Sequence, residues 1–491
     1  MSRSFSEFQL KELFRNRKFD SRLKTVSGKN AEIIQTGDSN SDTGPDFRNS
    51  LIKINGVTYR GDIELHRVSS DWYVHNHHTD RNYNSVILHV VLEYDDASGC
   101  VTQAGRKIET VEISRFLSAD AGDFLSGIES EDRLVTLRCS GENRKLSVSV
   151  KLDYLRLMGA KRFMHKAGKF EERLKDIIDE NRPVVFEAKQ SYFRDFADLR
   201  IEHRKYDGEE LRTESYWDQL LYEGILEGLG YSKNTIPFKK LARNAALDFL
   251  RQNRGIEELR ADAMLFGVAG LLPKTTVDFD SDSIEYCAKL DAAWRSIRRD
   301  YKREFVDGSE WLFFKLRPQN FPTIRIAGAG RLVSGWLIEH TCGDTIREAF
   351  DDGNSGFAEV WRKKLVVPAS DYWSKHFIFG TLASVDIRML IGAGRAEEII
   401  INTVLPLAYL RGHVFDDPRL TEKAKATYES HPPVADNAMT LIIKENLFGG
   451  DNVLDSVKAQ QGAIQLYRNL CSEKRCERCS IWKALRGRPA A

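Results

Sequence analysis

The chain has 491 residues, 42% of them hydrophobic and 30% charged, with 73 basic against 72 acidic side chains. That length exceeds what one hydrophobic core usually organises, so two or three domains are expected. A net charge of +1 provides no global field for steering to a polyanion, and any nucleic-acid contact must come from local clusters.

The opening MSRSFSEFQLKELF lacks the apolar core of a signal peptide, and no run approaches the roughly 18 apolar residues of a membrane span. A cytoplasmic location is expected, with the seven cysteines mostly reduced. Residues 5 to 19, through Phe5, Phe8, Leu10, Leu13 and Phe14, read as a short amphipathic helix, and Lys29 to Thr36 as a strand. Next comes Gly44-Pro45-Asp46-Phe47, a short apolar strand, an Asn55-Gly56 turn and a second strand ending Gly61-Asp62-Ile63-Glu64-Leu65-His66.

Alternation tests this hairpin. In its second strand Val57, Tyr59, Gly61, Ile63 and Leu65 share one face, and Thr58, Arg60, Asp62, Glu64 and His66 the other. A two-residue Asn-Gly loop would pair position 54 with 57, hence 46 with 65, which puts Asp46 on the wrong face. The apolar residues of the first strand change parity between Phe47 and Ile52, so a β-bulge near Asn49 to Leu51 is expected, swinging Asp46 beside Glu64. Two carboxylates and an imidazole would then meet at one metal-sized point. Asp46 and Glu64 would hold magnesium or manganese, and His66 would position or deprotonate water. Their structural alternatives are a turn aspartate beside Pro45 and a solvated Glu64.

Ser69-Ser70-Asp71 offers caps to a segment running through Tyr83, and Ser85 to Tyr94 reads as a buried strand. His75 and His77, with His78, Asp80 and His89, are near enough in sequence to enlarge the metal site, and nitrogen ligands would shift preference toward manganese, iron or zinc. A solvent-exposed helix face is the plainer reading of the HNHH run, and a core histidine that of His89.

Further strands are expected at Ile108 to Leu117, Arg133 to Cys139 and Lys145 to Leu152, which sets a domain boundary at 152. Beyond it the pattern is helical. Leu155 to Ile178 carries Arg156, Lys161, Arg162, His165, Lys166 and Lys169, a solvated face or else a phosphate groove. Trp217, Leu220, Leu221, Ile225 and Leu229 form a helical stripe closed by Gly230. Gly328-Ala329-Gly330 is a weak phosphate-loop signal. Between Leu316 and Arg325, two prolines, Arg317 and Arg325 suit either phosphate contacts with DNA or a rigid turn held by arginine–carboxylate pairs. At the C-terminus Cys471, Cys476 and Cys479 follow Cys-X4-Cys-X2-Cys spacing, the natural ligands of zinc or an iron–sulfur cluster that staples the terminal helices. A fourth ligand would come from Cys342, Cys139 or His413.

The order helix, three strands, helix, strand, with Asp46 and Glu64-X-His66, resembles the core of the PD-(D/E)XK nuclease superfamily, where an Asp and an acid-X-Lys bind magnesium or manganese. His66 stands where Lys is usual. This resemblance implies an α+β protein: a restriction-endonuclease-like mixed sheet with flanking helices over 1–152, then a mainly helical region over 153–491. The chain as a whole resembles an uncharacterised bacterial family, domain of unknown function 2851, through TGPDF at 43 to 47, GDIELH at 61 to 66, SDWYVHNH at 70 to 77, LYEGILEGLGYSKN at 221 to 234, RPQNFP at 317 to 322 and KRCERC near the end. That family implies no activity. The function expected from the hairpin is metal-dependent phosphodiester hydrolysis of DNA, in repair or defence. The alternatives are a noncatalytic nucleic-acid-binding or scaffold protein with a degenerate nuclease-like fold, and a redox protein working through the C-terminal cysteines.

Overall fold

A computed structural model describes residues 7–40, 44–96, 98–122, 136–182, 206–231, 233–254, 259–313, 316–351 and 356–487. The chain divides into two compact units, Met1–Leu134 and Val135–Ala491.

The first unit is a mixed sheet with short helices. Helix α1 (Glu7–Arg15) precedes β1 (Arg22–Lys24), β2 (Asn30–Gln35), β3 (Asp38–Ser39), β4 (Phe47–Ile54) and β5 (Val57–Val68). A single helical turn, α2 (Asp71–Val74), leads to β6 (Val86–Glu93), β7 (Cys100–Val101) and β8 (Lys107–Glu112). The sheet order is β1-β2-β4-β5-β6-β8-β7, with β3 paired to β4. β2, β4 and β5 form an antiparallel meander, whereas β6 runs parallel to β5 and β8 parallel to β6. Leu10 and Phe14 of α1 pack on Phe47, Ile63, Leu65 and Val90 as one buried cluster.

The hairpin behaves as its pattern requires. Asn55 (φ 47) and Gly56 (φ 86) are both left-handed, the geometry of the two-residue turn that matches strand twist. Ile54 pairs with Val57 and Ser50 with Gly61, but Phe47 pairs with Ile63, so the register slips by one residue between Phe47 and Ser50. Asn49 sits in that slip at φ 57. The bulge keeps Phe47, Ile52 and Ile54 in the core despite their opposite parity.

Four expected elements differ, the first being the strand from Ile108, which ends at Glu112 and continues as a 3-10 helix, Ile113–Phe116. The capped helical segment expected through Tyr83 is a single turn, Asp71–Val74: Ser70 makes no cap, and Ser69 and Ser70 hydroxyls donate instead to Asp95. Lys145 to Leu152 is not a strand. Ser147 caps the helix Val148–Asn181, its hydroxyl accepting from the Val150 amide, and 34 residues of helical periodicity override a short β-branched run. Residues 136–139 are also not in a strand, while 133–135 lie outside the described residues. The boundary consequently falls at 134 rather than 152.

The second unit is mainly helical, with two short ribbons pairing His376–Ile378 with Thr381–Leu382 and Val367–Pro368 with Met389–Ile391. Its core gathers Trp217, Ile225, Phe266, Leu290, Trp361 and Trp373. The helix Val148–Asn181 crosses Val457–Leu466 at two glycines: a Cβ on Gly159 would lie 1.9 Å from Lys458 O, and one on Gly462 1.8 Å from Leu155 O. This crossing turns part of the basic face inward. Arg162 donates to Gln461, and Lys166 bonds Asn402. Gly230 is right-handed (φ −65) and the left-handed residue is Tyr231, so glycine is needed there for close approach: a Cβ would meet Asn234 O at 2.6 Å. Gly328 and Gly330 lie inside the buried helix Pro322–Leu332, where a Cβ on Gly330 would strike Asp262 Oδ1. They serve packing, not a phosphate loop. Among the described residues no helix is long and apolar enough to cross a membrane.

Candidate metal centre

The polar face of β5 meets the loop that follows α2. β5 presents Glu64 and His66; β6 sets His89 opposite Glu64 in parallel register. After α2 the chain reverses at Asn76 (φ 60), which returns His75 and His77 to the strand. Trp72, fully buried, packs edge-on against His77, and Tyr83 stacks on its other side at 3.7 Å between ring centroids. These aromatics hold a polar cluster inside an apolar wall.

His66 Nε2 lies 3.1 Å from His75 Nδ1 and 3.2 Å from His77 Nε2. Glu64 Oε1 stands 3.4 Å from both His66 Nε2 and His77 Nε2. Donors held at ~2.0–2.1 Å around one tetrahedral ion are ~3.3–3.4 Å apart, and every one of these separations is near that value. The three imidazoles are the group among the described residues whose donor atoms all lie within 4.8 Å of one another. With its proton on Nδ1, His66 Nε2 has a single lone pair and accepts a hydrogen bond from one of these neighbours and not both, whereas one cation would serve all of them.

The outer contacts orient the inner ones. His66 Nδ1 is 2.9 Å from His89 Nε2, and His89 Nδ1 is 3.1 Å from Cys100 Sγ. A proton on His66 Nδ1, donated to His89, leaves the His66 Nε2 lone pair facing the cluster, which is how outer partners select a ligand tautomer. Burial, then the neighbouring imidazoles, lowers the pKa of His66. Burial, then His75, brings His77 down to about 4, and burial, then His77, brings His89 down to about 3. Burial raises the Cys100 thiol to about 12. His66, His77 and His89 are therefore neutral nitrogen donors at physiological pH.

The acids are placed differently from expectation. Asp46 and Glu64 are neighbours, the Asp46 amide donating to Glu64 Oε2 at 2.9 Å, and both are buried. Asp46 does not turn its carboxylate to the imidazoles: Oδ1 pairs with Lys11 Nζ at 2.7 Å and Oδ2 accepts from the Leu65 amide at 3.1 Å. The two-carboxylate metal pair drawn from the sequence is thus replaced by Glu64 with three histidines, flanked by an Asp46–Lys11 ion pair. Burial, then the charge of Asp46, raises Glu64 well above its ordinary value; burial raises Asp46 as well, against the opposing pull of Lys11. Burial opposes the Lys11 charge, but Asp46 and then Glu7 outweigh it, and its pKa is raised.

His75 is exposed, as the helix-face reading expects, but His77 is buried and belongs to the cluster. His89 is buried, and its partners are His66 and Cys100. Sequence reasoning missed Lys11, whose helix approaches β5 only in the folded unit, and missed Trp72 and Tyr83 as the walls. Their signal was the aromatic spacing around HNHH. In the second unit Arg317 is exposed. Arg325 is buried and donates to Leu390 O and Asn320 Oδ1, which makes it an internal tether instead of a phosphate contact.

The fold and this centre define an α+β protein with a histidine-rich candidate metal site on a mixed sheet. The chain belongs to the family described as Protein of unknown function (DUF2851), whose model matches residues 7–193 and 187–437. Comparison with curated proteins and with solved structures found no match.

Proposed function

We propose that the N-terminal unit is a metal-dependent phosphodiesterase acting on DNA, a variant of the PD-(D/E)XK plan. The observation that carries this reading is the gathering of His66 Nε2, His75 Nδ1 and His77 Nε2 around one point, with Glu64 Oε1 3.4 Å from two of them. The β4 bulge and the parallel step from β5 to β6 support the nuclease plan, although five strands and not three separate α1 from the single turn α2. A divalent cation held by those donors supplies Lewis acidity and neutralises phosphate charge. Nitrogen donors favour manganese, iron or zinc over magnesium. His66, enclosed by three other imidazoles, acts as a ligand and not as the base. That task passes to Asp46, whose proton affinity burial raises. Lys11 supplies from α1 the ammonium that position 66 lacks, and it pairs with a phosphate oxygen while Asp46 takes the proton from attacking water.

A second reading has an observation of its own. Three imidazoles gathered at one point, with the Glu64 carboxylate beside two of them, resemble the closed nitrogen-rich ligand sets of structural zinc sites, which suits a noncatalytic nucleic-acid-binding unit. Metal-stripped protein, reloaded with manganese, magnesium or zinc and incubated with end-labelled single- and double-stranded DNA, separates the two. Hydrolysis with manganese, lost in Glu64→Gln and reduced at least tenfold in Lys11→Met, supports the enzyme. One tightly held zinc with no cleavage under any metal refutes it.

A further inference from the structure

The four cysteines Cys139, Cys471, Cys476 and Cys479 converge in the second unit, and the distant one is held there by contacts on both of its sides. The helix Val457–Leu466 widens into a π turn, Tyr467–Cys471, and Lys474 then reverses the chain at φ 53. The turn closes through Arg475 N to Leu470 O at 2.8 Å, and Cys479 N donates to Cys476 O at 2.8 Å. Cys479 is the N-cap of the helix Ser480–Leu485. Cys139 arrives on a turn in which the Glu142 amide donates to Cys139 O. One residue before it, the Arg138 guanidinium lies 5.7 Å from the centre of the Trp482 ring; three residues after it, Glu142 pairs with Arg486 at 3.4 Å. Both partners belong to the helix that Cys479 begins or to its last turn. Leu137 is anchored by Asn446, whose Oδ1 accepts from its amide at 2.6 Å.

The thiols sense one another. Burial, then Cys479, raises Cys139 to about 11; burial, then Cys479 and Cys139, raises Cys471 to about 12. Burial raises the Cys479 thiol as well, against the opposing pull of the Trp482 and Ile481 backbone amides and the Tyr154 hydroxyl. Leu447, Phe448, Leu470 and Ile481 enclose the group. The other sequence candidates for the fourth ligand are elsewhere: Cys342 lies with Asp218 and Glu214, and His413 packs on Tyr409.

We propose that Cys139, Cys471, Cys476 and Cys479 together ligate an iron–sulfur cluster that ties the start of the helical unit to its end. Sulfurs around a single zinc at ~2.3 Å would be ~3.8 Å apart. Among the described residues no three of these sulfurs gather within 4.8 Å, the separation that the histidine triad does meet. A multi-iron cluster bridges that wider spacing, and four cysteines are its usual complement.

The full-length protein, expressed with iron and purified anaerobically, tests this. The expected result is broad visible absorbance with iron and inorganic sulfide in equal amounts, about two or four of each per chain. Cys139→Ser and, separately, Cys476→Ser should each lose at least threefold of the iron and the absorbance, while Cys287→Ala, distant from the group, keeps both. Should Cys139→Ser fail to fold, the wild-type metal content and Cys476→Ser still decide. Absence of iron and sulfide from the wild type, a single zinc in their place, or full iron in a soluble Cys139→Ser protein overturns the proposal.

Discussion

Acid should loosen the N-terminal unit by way of its buried imidazoles. In an unfolded chain histidine titrates near 6.5, whereas in the fold His77 is lowered to about 4 and His89 to about 3. Between pH 6.5 and 4 the unfolded chain therefore binds protons that the folded one refuses, so stability falls as pH falls. Each group moves through about 2.5 pH units in that window, ~3 kcal/mol apiece at 1.36 kcal/mol per unit. Solvent reaching His77 from the exposed His75 side screens its share, roughly halving it. Asp46 and Glu64 act in the opposite direction: with raised folded pKa values they take protons before their unfolded counterparts and return part of the loss. From these two groups a net loss of ~3 kcal/mol remains, roughly a hundredfold in the opening equilibrium, and His66, lowered by the same burial, adds to it in the same direction. Hydrogen exchange of metal-free full-length protein, read in peptides from β5 and β6 and corrected for intrinsic rates, measures it. His89→Gln, which removes one proton acceptor, should flatten the acid dependence by about half. Equal protection at pH 7 and pH 4.5, or an unchanged slope in His89→Gln, would refute the electrostatic account of the cluster.

Two further outcomes follow from packing and pairing. Gly159→Ala or Gly462→Ala forces the crossing helices apart by more than an ångström and should cost about 3 kcal/mol; Gly168→Ala, on the same long helix with nothing within 4 Å of the new methyl, should gain about 0.5–1 kcal/mol, and urea unfolding distinguishes these signs. Lys11→Met leaves the buried Asp46 carboxylate unpaired and should destabilise by about 1–3 kcal/mol; adding Asp46→Asn should recover most of it, and a double-mutant cycle with no coupling would show that the pair contributes nothing.

What could be read before folding was local in kind. Asn55-Gly56 dictates a two-residue turn, and once the turn is set, the parity conflict between Phe47 and Ile52 leaves a bulge as the only way to bury both; the structure puts that bulge at Asn49. The centre was less legible because its decisive step is a chain reversal. Whether His77 faces water or His66 depends on Asn76 turning left-handed and on Trp72 and Tyr83 closing behind the ring, and a run written HNHH looks the same either way. Arg325 shows the converse error: charge is visible in a sequence, burial is not, and only the unbroken apolar surround of Ile324, Ile326, Ala327 and Ala329 hinted that its helix lies inside. The strand expected at Lys145 to Leu152 fails because the alternation of Ser147, Val148, Ser149 and Val150 is only local, whereas the helical period that follows Ser147 is long. Both metal proposals rest on ligands that were individually conspicuous, and in each the missing partner, Glu64 turned toward imidazoles or Cys139 turned toward the C-terminus, is supplied by tertiary closure. A substitution in a closing contact that supplies no donor atom, such as Tyr83→Ala or Trp482→Ala, is consequently expected to weaken metal retention nearly as much as loss of a ligand, since ligand spacing is maintained by the wall and not by the chain segment that carries it.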